Sequence, residues 1–228
     1  MEIIEGIHLV DEASDNIAHS NVYLIINGQE LLIVDTGTPG NAKKIVEYIQ
    51  KIGRQPTEVS TIILTHYHMD HAGSVKDLKD LTNAKIAVSA EDKDYISGAK
   101  PLPKPKNIFM RAASSLIKVA HANVDITLRD GDNIGGLTIV DAAGHTPGSI
   151  FLYDPQRKVL FAGDTLRLEG GKVVAGPKQY VWDENKENQS IAKLTGLDFN
   201  IMLPGHGEVL TTNASNAVKE YLNSSAKA

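Results

Sequence analysis

His66-Tyr67-His68-Met69-Asp70-His71 decides the reading of this chain, because four strong metal-ligand side chains fall within six residues. The apolar run Thr61 to Leu64 precedes it, so a strand delivers a turn on which the alternate side chains His66 and His68 point the same way. Asp70 and His71 follow as the chain enters a helix, and they aim at a neighbouring point. Neutral imidazoles with a carboxylate suit Zn²⁺, Fe or Mn better than Ca²⁺ or Mg²⁺. In a purely structural role, four such clustered groups would bury unpaired donors and acceptors. Tyr67 and Met69, the fillers of the pattern, read as packing residues.

Outward from this cluster, three more ligand types stand at the ends of apolar strands. His145 lies in Gly144-His145-Thr146-Pro147-Gly148, Asp164 in Phe161-Ala162-Gly163-Asp164-Thr165, and His206 in Leu203-Pro204-Gly205-His206-Gly207. Glycine in each turn lets backbone approach closely. Alone, each would read as a loop or turn residue; beside the first cluster, each reads as a ligand. Seven ligands are too many for one Zn²⁺ and suit two ions sharing a carboxylate and a solvent oxygen. His8, His19 and His121 match no motif and read as structural or exposed.

The rest of the chain alternates strand and helix signals. Val22 to Ile26 and Leu31 to Val34 flank Asn27-Gly28, a strong hairpin signal. Asn41 to Ile52 places Ile45, Val46, Ile49 and Ile52 on one helical face, and Gly53 stops it. Lys85 to Val88 reads as a strand and Glu91 to Ile96 as a helix. Leu137 to Val140 is a strand, and Ser149 to Tyr153 pairs with Lys158 to Ala162 across Asp154-Pro155. Asn188 to Leu197 reads as a helix, Asn200 to Leu203 as a strand and Ala214 to Leu222 as a closing helix. Asp35-Thr36 and Asp164-Thr165 each end the second strand of a hairpin, which suggests a duplicated β-rich unit.

Composition bounds the function. The 228 residues fit one domain, and 42% hydrophobic with 22% charged residues excludes wholesale disorder. The absence of cysteine excludes disulfides, thiolate metal sites and cysteine nucleophiles. A net charge of −5 argues against nucleic acid or an anionic membrane as partner. No apolar run approaches the ~18 residues of a membrane span, and no secretory signal is visible, so a cytoplasmic location is expected. One segment differs from its surroundings, at about 97–122. It carries Lys100, Lys104, Lys106, Arg111 and Lys118, three prolines, and Ile108, Phe109, Leu116 and Ile117 on one helical face. It reads as a basic insertion within a single domain spanning 1–228.

The ordered set His66, His68, Asp70, His71, His145, Asp164 and His206 resembles the metallo-β-lactamase-fold hydrolase superfamily, and Asp35-Thr36-Gly37 matches a further family motif. The resemblance implies an α+β fold, a four-layer αββα sandwich with the metals at one edge between the sheets. It implies that His66, His68 and His145 hold one metal, that Asp70, His71 and His206 hold a second, and that Asp164 bridges them. Asp35 would orient a ligand by hydrogen bonding. Members with a cysteine ligand are excluded, which favours the glyoxalase-II-like and lactonase-like branches over β-lactam hydrolysis. With 22 residues after His206, the helical C-terminal domain of glyoxalase II is not expected. Arg167 stands near the place where acyl-homoserine lactonases carry a tyrosine.

The expected activity is that of a dinuclear metallohydrolase, with Zn, Fe or Mn as the divalent ions. A metal-bridging hydroxide would cleave an ester, thioester or lactone of a small molecule, and Asp70 would orient the nucleophile and carry its proton. A mononuclear-iron persulfide dioxygenase using His66, His145 and Asp164 is the alternative, and a phosphodiesterase or ribonuclease is a further one. A homodimer through the inserted helix is a third expectation. Tyr180 and Trp182 read equally as pocket lining or core.

Overall fold

The computed structural model describes residues 1–11, 19–103 and 120–225. Residues 104–119, most of the basic insertion, lie outside the described residues, and with them the insertion's apolar helical face and a dimer built on it.

Fourteen strands form three sheets among the described residues. The first sheet runs in sequence order through β1 (Glu2–Ile4), β2 (Ile7–Asp11), β3 (Val22–Asn27), β4 (Glu30–Val34), β5 (Val59–Ile63), β6 (Lys85–Ser89) and β7 (Ile126–Leu128). The second contains β8 (Asn133–Ile134), β9 (Leu137–Asp141), β10 (Ile150–Asp154), β11 (Val159–Gly163) and β14 (Ile201–Pro204), ordered β14-β11-β10-β9-β8. A separate hairpin joins β12 (Leu166–Glu169) to β13 (Lys172–Ala175). The helices are α1 (Ala42–Lys51), α2 (Met69–Ala72), α3 (Val75–Thr82), α4 (Lys93–Ser97), α5 (Glu184–Lys193) and α6 (Ala214–Ser225).

Period-two alternation explains why the central strands are apolar on every residue. Val22 and Leu24 of β3 join the core under α1 and α3, whereas Tyr23 and Ile25 enter the core between the sheets. On the other sheet, Val159 and Phe161 of β11 face the first sheet, and Leu160 and Ala162 face α5 and α6. Three cores thus separate four layers: helices, sheet, sheet, helices. This is the expected αββα sandwich.

The two sheets share a local plan. In each, an antiparallel hairpin, β3–β4 or β10–β11, is followed by a parallel pairing, β4–β5 or β11–β14. A strand rich in β-branched residues whose two faces are both buried has nowhere to put a polar side chain except at its end. Accordingly Asp35, Thr65-His66, Asp164 and His206 all follow strand termini, on one edge of the sandwich.

The hairpin at Asn27-Gly28 forms with Asn27 opposite Glu30 and Gly28 at φ 63°. One helix boundary is corrected. The helix expected from Asn188 begins at Glu184, because the Asp183 side chain caps it, accepting from the Asn185 and Lys186 amides. The sequence reading also passed over the N-terminal strands and the β12–β13 hairpin, whose Gly170 and Gly171 turn at positive φ. Among the described residues, no helix is long and apolar enough to cross a membrane.

Candidate metal centre

All seven expected side chains meet at this edge, in two groups that share Asp164. One group is His66, His68, His145 and Asp164; the other is Asp70, His71, Asp164 and His206. Within each, the nearest donor atoms lie within 4.8 Å of one another. In the first, His68 Nδ1 stands 3.0 Å from His66 Nε2 and 3.0 Å from His145 Nε2. Asp164 Oδ2 is 3.5 Å from His145 Nε2 and 3.9 Å from His66 Nε2. In the second, Asp164 Oδ1 faces His71 Nε2 at 3.0 Å, and His206 Nε2 lies 3.1 Å from Asp70 Oδ2 and 3.4 Å from Asp164 Oδ2. These spacings are close to the ~3.3 Å between ligand atoms around a tetrahedral ion with ~2.0 Å bonds.

Local structure explains the aim of each side chain. The turn after β5 brings His66 and His68 together through different ring nitrogens. His68 then opens the single turn of α2, which carries Asp70 and His71. Gly205 allows the His206 loop to close on the cluster: a Cβ there would stand 2.2 Å from Asp164 Oδ1 and 2.6 Å from His71 Cε1.

Asp35 orients both groups at once. It sits just past β4 with φ 61°, a left-handed conformation that short polar residues tolerate. Its Oδ1 accepts the Thr65 amide at 2.8 Å, and its Oδ2 accepts the Thr65 hydroxyl at 2.8 Å. The same Oδ2 lies 2.7 Å from His71 Nδ1. A carboxylate only accepts, so His71 carries its proton on Nδ1 and presents a bare Nε2 lone pair to the cluster. Thr65 gives its proton to Asp35, so its oxygen accepts from His66 Nδ1, 3.0 Å away. His66 therefore also presents a bare Nε2. Sequence reasoning gave Asp35 this orienting part by resemblance and missed Thr65, whose only signal was its place beside His66 at the strand end.

A divalent cation fits these atoms. His71 Nε2 and Asp164 Oδ1 are fully buried and 3.0 Å apart, yet neither is aligned for a well-formed hydrogen bond. An imidazole lone pair facing a carboxylate oxygen is repulsive and desolvated unless a positive charge lies between them. In the metal-free protein a proton takes that place. Burial alone would lower the His71 pKa, but the carboxylates of Asp164, Asp35 and Asp70 overcome it and hold the group well above the usual histidine range. His206 is likewise pulled against burial by Asp164 and Asp70, up to about 9. Asp164 and Asp70 are lowered in return, His71 and His206 outweighing burial. The three-histidine group behaves oppositely. Burial, reinforced by neighbouring imidazoles, lowers His66 well below its usual value and His68 to about 3; burial also lowers His145.

The remaining histidines stand apart from both groups: His8 bonds the Tyr48 hydroxyl, and His19 and His121 are exposed. Tyr67 packs in the helix-side core, as expected. Trp182 is not core, being 50% exposed with the Lys186 ammonium 4.6 Å from its ring.

Two sheets closed on each other, with imidazoles and carboxylates converging at their common edge, define a layered fold with a candidate metal site where the sheets meet. The model of the metallo-beta-lactamase superfamily matches residues 16–206, and the chain belongs to that superfamily. It is 27% identical over 216 residues to the probable metallo-hydrolase YflN of Bacillus subtilis, covering 84% of this chain and 82% of that protein. It is 27% identical over 190 residues to a hydroxyacylglutathione hydrolase of Cereibacter sphaeroides, covering 81% of this chain and 60% of that one. The solved structure of TTHA1623 in a di-iron-bound form superposes with a TM-score of 0.72 at 23% identity, over 93% of this chain and 98% of that chain, a likeness of fold.

Proposed function

We propose that this protein is a dinuclear metal-dependent hydrolase that cleaves an ester, thioester or lactone bond of a small molecule. His66, His68 and His145 hold one ion, Asp70, His71 and His206 hold the other, and Asp164 is shared. The observation that carries this reading is the pair of orphaned, fully buried atoms His71 Nε2 and Asp164 Oδ1, facing each other at 3.0 Å. Nitrogen and carboxylate donors in near-tetrahedral sets favour Zn²⁺, with Fe and Mn next.

When bound, such a pair of ions activates water as the nucleophile and polarises the scissile carbonyl. The chain supplies the rest. Asp35 and Thr65 fix the imidazole tautomers, so no reorientation is needed at the moment of reaction. Asp70, whose side chain is 22% exposed, is the carboxylate of the second group that reaches the open side. There it orients the attacking water and carries its proton to the leaving group. No side-chain nucleophile is required. The net charge of −5 supports a small substrate over nucleic acid, and the relative named hydroxyacylglutathione hydrolase supports an acyl bond.

Metal quantification on freshly purified protein, followed by a screen of thioesters, lactones, carboxylic esters and phosphodiesters, tests the reading. Two ions per chain with acyl-bond cleavage is the expected result. Failure to take up any transition metal would refute it. One iron with oxygen uptake on a persulfide would replace it with an oxygenase, and turnover confined to phosphodiesters with a nuclease-type activity.

A further inference from the structure

Asp92 is the N-cap residue just before α4, where an aspartate ordinarily caps the helix with its side chain. It does not do so here: α4 has no side-chain cap. The carboxyl instead turns inward and is completely buried. Its Oδ2 accepts the Tyr67 amide at 3.0 Å and the Thr146 hydroxyl at 3.0 Å. Tyr67 lies between His66 and His68, and Thr146 follows His145. A single oxygen atom thus ties together the two loops that carry the three histidines of one group.

These loops belong to different sheets. The 65–68 turn leaves β5 of the first sheet, and the 144–149 turn enters β10 of the second. The apolar core between the sheets sets their separation but is non-directional, so it does not fix how one loop slides along the other. Directional contacts do. Besides the Asp92 bonds, the Ile150 amide donates to the Thr65 carbonyl at 3.0 Å. Around Asp92 the polar partners are themselves held: Ser149 Oγ accepts the Thr146 amide at 2.9 Å and meets the Thr146 hydroxyl at 2.9 Å. The second loop is pressed against this brace. A Cβ at Gly148 would stand 2.4 Å from Asp92 Oδ1 and 2.3 Å from Ser89 Oγ.

The other group has separate supports. Ser20 Oγ donates to the Asp70 carbonyl at 2.6 Å, and Thr36 Oγ1 to the His71 carbonyl at 2.8 Å. Asn21 Nδ2 donates to the carbonyls of Pro204 and Gly207, on either side of His206, at 2.9 and 3.0 Å. Asp92 touches none of these.

We propose that Asp92 is a positioning residue for one half of the metal centre, setting the spacing of His145 against His66 and His68 by gripping Tyr67 and Thr146 with one carboxylate oxygen. The inference rests on the reading of the seven side chains as ligands of two ions. Removing the grip weakens the ion in the three-histidine group and leaves its neighbour in place. What matters is an acceptor at the Oδ2 position, so an amide oxygen there serves nearly as well.

The test uses the full chain and Zn²⁺ alone, with metal per chain and competition against a chromophoric chelator as readouts. Wild type is expected to take up two ions; uptake of none or one would defeat the two-ion reading itself. With two ions in wild type, Asp92→Ala is expected to weaken one of them roughly 10–100-fold, the usual effect of removing an outer-shell support, and to spare the other. Asp92→Asn is expected to stay within about threefold of wild type, and Thr146→Val to fall between the two. In a His145→Ala background, where the three-histidine half is already broken, Asp92→Ala is expected to add nothing for the remaining ion. Unchanged affinities in Asp92→Ala, equal weakening of both ions, or an Asp92→Asn loss as large as that of alanine would each overturn the role of Asp92 while leaving the two-ion reading intact. Should Asp92→Ala not fold, Thr146→Val and Asp92→Asn carry the same decision.

Discussion

Replacing Asp35 by asparagine tests the orientation of the centre through one atom. Asparagine is chosen because it tolerates the positive φ of 61° at this position, so the backbone keeps its path. The Thr65 amide at Oδ1 can only donate, which places the amide oxygen of the new side chain there and its NH₂ where Oδ2 was. That NH₂ now faces His71 Nδ1, formerly 2.7 Å from a carboxylate oxygen, and forces His71 to carry its proton on Nε2, pointing into the cluster. The Thr65 hydroxyl, formerly a donor to Oδ2, must turn to accept from the amide and donates its hydrogen bond to His66 Nδ1, 3.0 Å away, which must then be bare. His66 then also carries its proton on Nε2. Both groups lose a lone pair for the sake of one nitrogen. The reverse amide orientation is no better, since it opposes two N–H groups at Thr65, a buried mismatch of ~1–3 kcal/mol. Each ion is expected to weaken by about 10–100-fold, ~1.4–2.7 kcal/mol. Chelator competition measures the affinities, and ¹⁵N NMR of the histidines in the Zn²⁺-loaded protein reads which nitrogen of His71 and His66 keeps its proton. Wild-type affinity for both ions, with His71 still protonated on Nδ1, would refute the reasoning.

Two further outcomes follow from the same geometry. In metal-free protein the acidic side chains hold His71 well above its usual range and His206 up to about 9, so both stay protonated at pH 7.5 and must lose those protons when ions enter. The second group should release about two protons per chain, with affinity rising as pH approaches 9. The three-histidine group, with His68 near 3 and its partners lowered, should release none at that pH. Calorimetry in buffers of different ionisation enthalpy measures the release, and buffer-independent heats would contradict it. Gly205→Ala places a methyl 2.2 Å from Asp164 Oδ1 and 2.6 Å from His71 Cε1. It should displace the shared carboxylate and reduce kcat/KM by roughly 100-fold, as a misplacement of about 1 Å does, with a loss of about 1–3 kcal/mol in the stability of the metal-free protein from overpacking; wild-type turnover would show that the loop yields freely.

How much could be read without coordinates depended on where each signal was stored. The central strands were legible because strands buried on both faces must be apolar at every residue, as Leu31 to Val34 and Val159 to Ala162 are, whereas their stacking into four layers came from the family resemblance. The His66 to His71 cluster was legible because its ligands are neighbours in the chain. The start of α5 was misplaced by four residues because Glu184 to Glu187 carries no apolar period; the Asp183 cap was the missed clue. The β12–β13 hairpin escaped because its strands are short and partly exposed. Asp92 escaped for a different reason: the sequence reading placed it inside a helix from Glu91 to Ile96, and the direction of its carboxyl is not a local property.

By itself the sequence determined the kinds of ligand, the strands that end in them and the family to which they point, since residue type, spacing and burial period are written along the chain. Only the tertiary structure decided which atoms of those side chains meet. It placed His68 Nδ1 rather than Nε2 against its partners, set both oxygens of Asp35 on Thr65 and His71, and gave Asp92 its grip across loops that are distant in sequence. The physical reason is that hydrogen-bond direction and imidazole tautomer depend on atoms brought together by packing two sheets face to face. No pattern within one strand or one loop encodes where the opposite sheet will set its donors.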